Sequence, residues 1–250
     1  RGLGDVYKRQ TPGTPLPDGV FEVKVLRDET SIKTDTLYGK SYAVFKDSKL
    51  AKDKFPTPVK MDDTYANPKW YSGADQASAT TAVANNKPED VAITGNTTFL
   101  AKAESKSGKD VIPYVPADPT NPTNPDDTKV PTVDEDNKPI DKTQYDIVAF
   151  KVTDADKTKG SLTLGKLDKQ QVISVLVKKG SKWEKVTAPT INVTDETTTK
   201  ANGYKPSIPE KTETVENGKV YEAQFVTNGQ EITPGTPLPD GVFEVKVLRD

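Results

Sequence analysis

Eighteen residues occur twice in this chain, once near each end. Residues 11–28 and 233–250 are identical at every position (TPGTPLPDGVFEVKVLRD), and the second copy begins 222 residues after the first. Identity at a fixed offset is typical of a tandem array, in which each repeat is one structural unit. The sequence therefore predicts a fragment of a repetitive protein, with residues 240–250 forming the first strand of the next copy. An overlap produced by assembly of a circular molecule is the alternative.

The first ten residues have a different origin from the rest. Residues 1–10 (RGLGDVYKRQ) match the translation of a transposase sequencing adapter at every position, so we expect them to be a disordered library scar. We expect both ends of the chain to be cuts. The lack of a signal peptide, membrane helix or sorting signal in such a fragment is then uninformative.

Composition limits the chemistry that the chain can perform. It has no Cys and no His, which excludes thiol nucleophiles, disulfides and the commonest general base and metal ligand. The formal net charge of −2 disfavours a nucleic-acid partner, because phosphate binding needs a clustered basic face. With 33% hydrophobic residues and 20 Pro, several small modules are favoured over one enzyme-sized domain. We expect no catalytic residues, no metal and no cofactor.

Residues 18–107 are predicted to form a first β module. Phe21, Val23 and Val25 alternate with charged residues over positions 20–26, which is the period of a half-buried strand. Further strands are predicted at residues 41–46 and 98–103. The long region between these two strands contains several prolines and is predicted to be irregular.

Residues 144–228 are predicted to form a second β module. Asn217-Gly218 lies between two alternating runs, which predicts a hairpin turn. Both modules end in a turn followed by an aromatic residue, one other residue and Ala (FLA at 99–101, YEA at 221–223), which favours divergent copies of one unit over chance similarity. The strands predicted in this module are residues 145–152, 161–164, 172–177 and 221–226.

Residues 108–143 are predicted to be a Pro-, Asp- and Thr-rich linker. Proline recurs at every third position from Pro113 to Pro125. Polyproline II has three residues per turn, so these rings would lie along one edge of an extended, semi-rigid rod. Shorter Pro-rich joints are predicted at residues 11–17 and 229–239. Modules that alternate with rods would form a stalk.

The second module resembles a known family of repeats. The similarity is carried by residues 179–189 (KGSKWEKVTAP), by Gly203-Tyr204-Lys205 and by the closing strand at 220–226 (VYEAQFV). These segments resemble the internalin-type B-repeats, also called the Listeria-Bacteroides repeat family. The resemblance implies small β-grasp-like modules, without catalysis, in tandem arrays of Gram-positive surface proteins anchored to the cell wall.

Three aromatic residues of the first module are candidate ligand contacts. Tyr65, Trp70 and Tyr71 could form a platform for a glycan or a protein, and Trp183 with Tyr204 could form another. Core packing is favoured over both platforms, because modules with few large hydrophobic residues need their aromatics inside.

Acidic and basic side chains give two weaker candidates. Residues 126–127 and 134–136 could bind Ca²⁺, although a solvated acidic linker is favoured. Lys24, Lys151 and Asn96 could take part in a Lys–Asn isopeptide crosslink, although ordinary surface lysines are favoured.

The sequence therefore predicts a mainly β chain with little helix: two β-grasp-like modules joined by a Pro-rich linker. The predicted function is an extracellular stalk or adhesin spacer on a bacterial cell wall, with peptidoglycan attachment outside this fragment and no membrane insertion within it. Partners would be a host glycan or matrix protein, contacted weakly at many sites. A dedicated ligand-binding module and an accessory domain of a secreted polysaccharide-degrading enzyme are the alternatives.

Overall fold

The computed structural model describes residues 15–249, and these fold into two units. Unit 1 ends at Lys106 and unit 2 begins at Ser107. Strands account for 37% of the chain and helices for 8%, and no helix in the described part reaches seven residues. The predicted mainly β class is therefore confirmed. The short 3-10 helices are Lys52–Lys54, Ala84–Asn86, Pro88–Asp90, Lys142–Gln144, Asp154–Asp156 and Trp183–Lys185.

Unit 1 is built on one five-stranded sheet. Its strands are β1 (Val20–Arg27), β2 (Lys40–Phe45), β3 (Tyr65–Gly73), β4 (Thr81–Ala82) and β5 (Thr97–Ser105). The order across the sheet is β2-β1-β5-β3-β4. The first strand, β1, lies parallel to the last long strand, β5, and antiparallel to β2. The chain therefore enters and leaves unit 1 through neighbouring strands near the centre of the sheet.

The core of unit 1 follows from the alternation in β1. Val23 and Val25 are fully buried, whereas Lys24 between them is exposed. They pack with Phe99 and Ala101 of β5 and with Trp70 of β3 in one hydrophobic cluster. Because successive side chains of a strand point to opposite faces, the alternating sequence buries a single face of β1.

Unit 2 contains two sheets. Its strands are β6 (Val111–Tyr114), β7 (Tyr145–Lys151), β8 (Gly160–Leu164), β9 (Leu167–Gln170), β10 (Val172–Lys178), β11 (Thr190–Val193), β12 (Thr199–Lys205) and β13 (Val220–Thr227). The larger sheet has the order β12-β13-β7-β10-β6, and the smaller sheet has the order β11-β8-β9. Again the first long strand, β7, lies parallel to the last, β13.

The two units share the arrangement of four strands. The order β10-β7-β13-β12 in unit 2 matches β2-β1-β5-β3 in unit 1, with the same parallel pair at the centre. In both units the next-to-last long strand carries a bulge, with a positive φ at Asn67 in β3 and at Gly203 in β12. The β-grasp likeness stays a prediction. No helix crosses the sheet in the described residues of unit 2, where the smaller sheet contributes Leu162 to the core instead.

Several predicted strands lie within a residue or two of the observed ones, namely β1, β2, β5, β7, β8, β10 and β13. The region that contains β3 was predicted to be irregular, and β12 was not among the predicted strands. The bulge explains both, because Asn67-Pro68 and Asn202-Gly203 interrupt the alternation at positions that pair with no residue of the next strand. The predicted hairpin at Asn217-Gly218 is wrong. A turn forms there, but the neighbours of β13 in the sheet are β12 and β7.

The prediction of a free extended linker at residues 108–143 is wrong. Residues 111–114 form the edge strand β6, in which Pro113 lies opposite Val175 of β10. Proline is tolerated there because an edge strand has one side without ladder partners. The five rings do not share one edge, since the side chains of Pro116 and Pro122 are buried whereas Pro113 is exposed. The rest of the segment returns over the sheet as a cover, here defined as residues 115–141.

The cover exists because the larger sheet of unit 2 is apolar on both faces. Strand β10 (VISVLVK) is buried at every position except the last. Ile173 and Val175 pack into the main core, whereas Leu176 packs with Tyr114 and Val130 on the opposite side. A run of this kind, apolar at every position except Ser174 and Lys178, is typical of a strand covered on both faces. The residues predicted to form a rod therefore supply the second layer.

The predicted strand at residues 240–250 is also not formed, as far as the structure describes that segment, which is to residue 249. Residues 242–249 have no strand partner, and Val245 and Val247 are 84% and 95% exposed. The identical residues Val23 and Val25 are buried in β1, where β2 and β5 flank them. The same sequence therefore forms a strand only where neighbouring strands pair with it, as β2 and β5 do with β1. The predicted adapter at residues 1–10 lies outside the described residues.

Truncating Val130 to Ala should destabilise unit 2. Val130 is 8% exposed and packs under the cover, so we expect Val130→Ala to lower the free energy of unfolding of unit 2 by about 1–3 kcal/mol. Val133→Ala makes the same chemical change in the same segment at a side chain that is 47% exposed, and we expect a loss below about 0.5 kcal/mol. Urea denaturation followed by tryptophan fluorescence measures both. Equal, negligible losses would contradict the packed cover.

Candidate functional site

The three aromatic residues predicted as a platform all lie on β3, but they do not share one surface. Trp70 lies opposite Ala101 of β5 and Tyr65 lies opposite Ser105, so these two side chains belong to one face of the sheet. Tyr71 lies opposite Leu100 and belongs to the other face. The bulge between Ala66 and Lys69 brings Tyr65 onto the inner face with Trp70.

Trp70 is a core residue. Its side chain is 3% exposed, and its ring lies 5.5 Å from the Phe55 ring in an edge-to-face arrangement and 6.0 Å from the Tyr38 ring. Its backbone N–H donates a hydrogen bond to Asn86 Oδ1 at 2.7 Å. Tyr65 is half-buried against the same cluster, and Tyr71 is half-buried outside it. The indole face that a ligand would need is covered by the module's own side chains.

The second aromatic pair, Trp183 and Tyr204, is also packed inside its unit. Trp183 is 3% exposed and meets Tyr221 edge to face at 5.3 Å, while Tyr204 meets Phe150 at 5.4 Å. The Tyr204 hydroxyl donates a hydrogen bond to the Pro189 carbonyl at 2.7 Å. Burial raises the pKa of the Tyr204 phenol, because the low-polarity surroundings disfavour the phenolate.

The acidic residues of the cover close turns. The Asp127 carboxylate accepts backbone N–H groups of Ala117, Asp118 and Lys129 at 2.8–3.1 Å. The hydrogen bond from the Lys129 N–H is the largest cause of the lowered pKa of Asp127. Among residues 15–249 no group of acidic side chains is arranged to hold a metal ion.

Asp134 fixes the chain reversal at the other end of the cover. Its carboxylate accepts the Ser107 hydroxyl at 2.6 Å and the backbone N–H groups of Asp136 and Lys138, both at 2.9 Å. The Ser107 hydrogen bond is the largest cause of the lowered pKa of Asp134, because it favours the ionised form. The neighbouring Glu135 pairs with Lys109 at 2.9 Å.

The lysines considered for a crosslink pair with carboxylates on the sheet surface. Lys24 Nζ lies 3.9 Å from Glu22, and Lys151 Nζ lies 3.8 Å from Glu222 on the neighbouring strand. Asn96 has a different role: its Oδ1 accepts the backbone N–H of Glu22 at 3.0 Å. Carboxylate pairing of this kind on an exposed sheet face is an ordinary surface interaction.

Sequence reasoning missed that the Asn96 role recurs in unit 2. Asn217 Oδ1 accepts the backbone N–H of Ile147 at 2.9 Å. In each unit an asparagine just before the last strand therefore holds the first strand of the central parallel pair. The recognisable signal is an Asn within three residues of the start of that last strand, at Asn96-Thr97 and at Asn217-Gly218-Lys219-Val220.

An open cleft lies in the described part of unit 2. It has a volume of about 990 Å³ and lies between the ends of β12 and β13 and residues 232–248. Its apolar wall comes partly from Phe243, Val245 and Val247, which belong to the second copy of the repeated sequence. The cleft is therefore bounded by a segment whose apolar side chains lack the partners that their first copy has.

Comparison of the chain with protein-family models, with curated proteins and with solved structures finds no match. Among residues 15–249, no helix combines the length and the apolar character needed to cross a membrane. The function is therefore inferred from the repeat, the strand arrangement and the residue contacts described above.

Substitution of Trp70 should act on stability. We expect Trp70→Ala to lower the free energy of unfolding of unit 1 by about 3–5 kcal/mol, because it removes a buried ring. Tyr71→Ala on the opposite face is the control, with an expected loss of about 1 kcal/mol or less. Denaturation monitored by far-ultraviolet circular dichroism measures both. A Trp70→Ala chain as stable as the parent would contradict this role.

Acidification should loosen the cover. The folded-state pKa of Asp134 is lowered, so its ionised carboxylate stabilises unit 2 above pH ~4, the ordinary pKa of Asp, and this contribution is lost as the pH falls through the folded value. Asp134→Asn should therefore lower the melting temperature at pH 7. It should also reduce the further fall of the melting temperature between about pH 5 and about pH 2.5, the interval in which the carboxylate becomes protonated. Asp126→Asn is the control, since that side chain is 84% exposed. A parent-like pH profile for Asp134→Asn would contradict the assignment.

Proposed function

We propose that this chain is a non-catalytic, load-bearing spacer from a tandem-repeat surface protein of a Gram-positive-type bacterium. In this role its two units extend an extracellular stalk, and binding is left to other parts of the protein. The observation that carries the proposal is the parallel pairing of the first and last strands in each unit, together with the exact recurrence of the first strand after 222 residues.

The strand arrangement of unit 1 suits tension along the chain. The ladder between β1 and β5 extends from Val23 opposite Thr97 to Arg27 opposite Ala101. A pull on the start of β1 and on the end of β5 acts in opposite directions along two parallel strands. The ladder hydrogen bonds are then loaded together in shear, since none can break without sliding the whole strand.

Unit 2 repeats this arrangement with a shorter ladder. Strands β7 and β13 pair from Ala149 opposite Val220 to Lys151 opposite Glu222. The chain leaves through β13, and it reaches β7 by way of β6 and the cover. Tension would therefore be carried first by β6 and the cover and afterwards by the central pair. In this role the packed cover resists extension of unit 2, whereas a free linker of the same residues would only lengthen the chain.

The resemblance of residues 179–226 to B-repeat modules supports an extracellular, cell-wall-anchored location, with peptidoglycan attachment outside this segment. The interior positions of Trp70 and Trp183 favour the spacer over an aromatic binding platform. Contacts with a host glycan or matrix protein would then be weak and would gain strength only from repetition. An array of glycans and matrix proteins tests this directly: saturable, tight binding by the chain would favour a dedicated binding module.

The direction of pulling should decide the force at which unit 1 unfolds. The chain has no Cys, so introduced cysteines define the attachment points. We expect a higher unfolding force when the handles are at Asp18→Cys and Lys106→Cys, which load the β1–β5 ladder in shear. Handles at Asp18→Cys and Gly95→Cys pull at the starts of both strands and separate the ladder one bond at a time. Single-molecule force spectroscopy compares the two geometries, and forced unfolding reports the unfolding rate under load.

The two pairs of handles share one attachment point and test the same fold, so a difference in force arises from geometry. A side chain added at Gly95 would meet open space, so the substitution is expected to be tolerated. A force in shear equal to or below the force in the peeling geometry would exclude a load-bearing role for the central pair.

A further inference from the structure

The sequence contains three Asn-Gly pairs, and all of them lie in unit 2. They are Asn202-Gly203 in the bulge of β12, Asn217-Gly218 just before β13 and Asn228-Gly229 just after it. An asparagine followed by glycine is prone to spontaneous deamidation, because glycine has no side chain to hinder attack by its backbone nitrogen on the asparagine amide. The contacts of each pair in the fold therefore decide whether it reacts.

Both reacting groups of Asn217-Gly218 are hydrogen-bonded to the backbone of Ile147 in β7. The Gly218 N–H donates to the Ile147 carbonyl at 2.8 Å, and Asn217 Oδ1 accepts the Ile147 N–H at 2.9 Å. These two hydrogen bonds are here called the clasp. The first bond retains the proton that has to leave the attacking nitrogen, and the second fixes the amide that would be attacked. The closed clasp therefore blocks the reaction.

The clasp is held by the packing of unit 2. Ile147 is buried in one cluster with Val130 of the cover. Two residues further along β7, the Ala149 N–H donates to the Lys219 carbonyl at 3.0 Å, where the ladder between β7 and β13 begins. The clasp therefore opens only when β7 and β13 separate at this end.

Asn228-Gly229 lies in an exposed turn with different contacts. The Gln230 N–H donates to the Thr227 carbonyl at 3.0 Å and closes the turn, in which Gly229 has a φ of +79°. The Asn228 N–H donates to the Thr198 carbonyl. In the part of the chain that the structure describes, no hydrogen bond holds the Gly229 N–H or the Asn228 side chain. This pair is therefore free to react in the folded chain.

We propose that Asn217 is a deamidation site gated by the fold: it reacts only after β7 and β13 separate, whereas Asn228 reacts in the folded chain. The Gly218 nitrogen gives its proton to solvent and attacks Asn217 Cγ. The new N–Cγ bond closes a succinimide ring, and the Cγ–Nδ2 bond breaks as ammonia leaves with a proton from solvent. Water then opens one of the two imide bonds, which gives aspartate or isoaspartate. The proposal stands independently of the spacer role.

The two products have different effects on the central pair. Aspartate leaves the main chain unchanged and presents a carboxylate oxygen that accepts the Ile147 N–H as the amide did. Isoaspartate routes the main chain through the side chain and so adds one methylene before Gly218. The backbone groups of Gly218 and Lys219 then no longer match those of Ile147 and Ala149. A unit that opens and forms isoaspartate therefore loses the start of its β7–β13 ladder.

Peptide-mapping mass spectrometry of the intact 250-residue chain at constant pH measures the rate at each site. Synthetic peptides of residues 212–222 and 223–233 give the rates without the fold. We expect Asn228 in the folded chain to react within about tenfold of its peptide, since an exposed turn opens at little cost. We expect Asn217 to react at least about a hundredfold more slowly than its peptide, since opening a core ladder costs much of the global stability.

Urea below the unfolding midpoint opens the gate by a known amount. The Asn217 rate should rise in proportion to the unfolded fraction measured by tryptophan fluorescence, because modification of a rapidly opening segment follows the population of the open form. The Asn228 rate should change by less than about threefold, because its turn is already open. A peptide-like rate at Asn217 in the folded chain, or an Asn228 rate as slow as that of Asn217, would overturn the proposal.

Val130→Ala and Val133→Ala form a matched pair for this experiment. Val130 packs in the cluster of Ile147, whereas Val133 is 47% exposed. At one fixed urea concentration we expect Val130→Ala to raise the Asn217 rate by the factor by which it raises the unfolded fraction, about 5–30-fold, and Val133→Ala by less than about threefold. The Asn228 rate should be the same in both. An Asn217 rate that does not follow the unfolded fraction of the variants would contradict the gate.

Refolding tests the effect of the products. In a chain with Asn202→Ser and Asn228→Ser, Asn217 is in the remaining Asn-Gly pair. This chain is held in urea until it has reacted and is then returned to buffer, and amide exchange of Ile147 and Ala149 is measured. We expect Asn217→Asp to retain protection within about tenfold of the unreacted chain, and the isoaspartate form to lose it. Full protection in the isoaspartate form would overturn the predicted loss of the ladder.

Discussion

The parallel pairing of the first and last long strands organises both units. In each case these strands lie side by side inside the sheet, so the chain closes its fold by returning to the strand with which it began. The pairing joins residues that are far apart in the sequence, and an asparagine side chain fixes its start by accepting an N–H of the first strand. Buried aromatic and alanine side chains of the last strand, such as Phe99 and Ala101, then complete the core on that pair. Each partner in unit 1 also pairs with one further strand, β1 with β2 and β5 with β3, so the loss of one partner would remove one of the other's two ladders.

The two units differ in how many faces of the sheet need protection. Strand β1 alternates apolar and charged residues, so only one of its faces has to be covered. Strand β10 has apolar residues at odd- and even-numbered positions, so both of its faces have to be covered. The segment from Val111 to Ile140 provides the second layer through an edge strand and turns closed by Asp127 and Asp134. Its prolines and acidic residues are therefore part of a folded layer, and the reach that a free rod would give is absent. A spacer built in this way gains length from folded units.

Much of the fold could be predicted from local patterns, and the failures have physical causes. Period-two alternation located β1 because it reports burial of one face, which is a local property of the sequence. The bulged strands β3 and β12 were missed because Asn67 and Gly203 shift the period in mid-strand. The cover was missed because it packs on the face of β10 that is opposite the main core, which local patterns do not report. The run at 172–177, apolar except for Ser174, nevertheless implied a second layer. The core position of Trp70 agrees with the sequence analysis, which favoured core packing of the aromatic residues. The bulge decides that Tyr65 lies on the same face as Trp70 and that Tyr71 lies on the other face, and it could not be located from the sequence pattern.

The duplicated sequence separates local from tertiary determinants within one molecule. Both copies form the Pro-Asp-Gly turn with the same 3.1 Å hydrogen bond, so the turn is decided by its own residues. Only the first copy continues as a strand, because an isolated extended segment gains little until β2 and β5 supply ladder partners and a core. The free energy that orders residues 20–27 therefore comes from the ladders with β2 and β5 and from the core that these strands share.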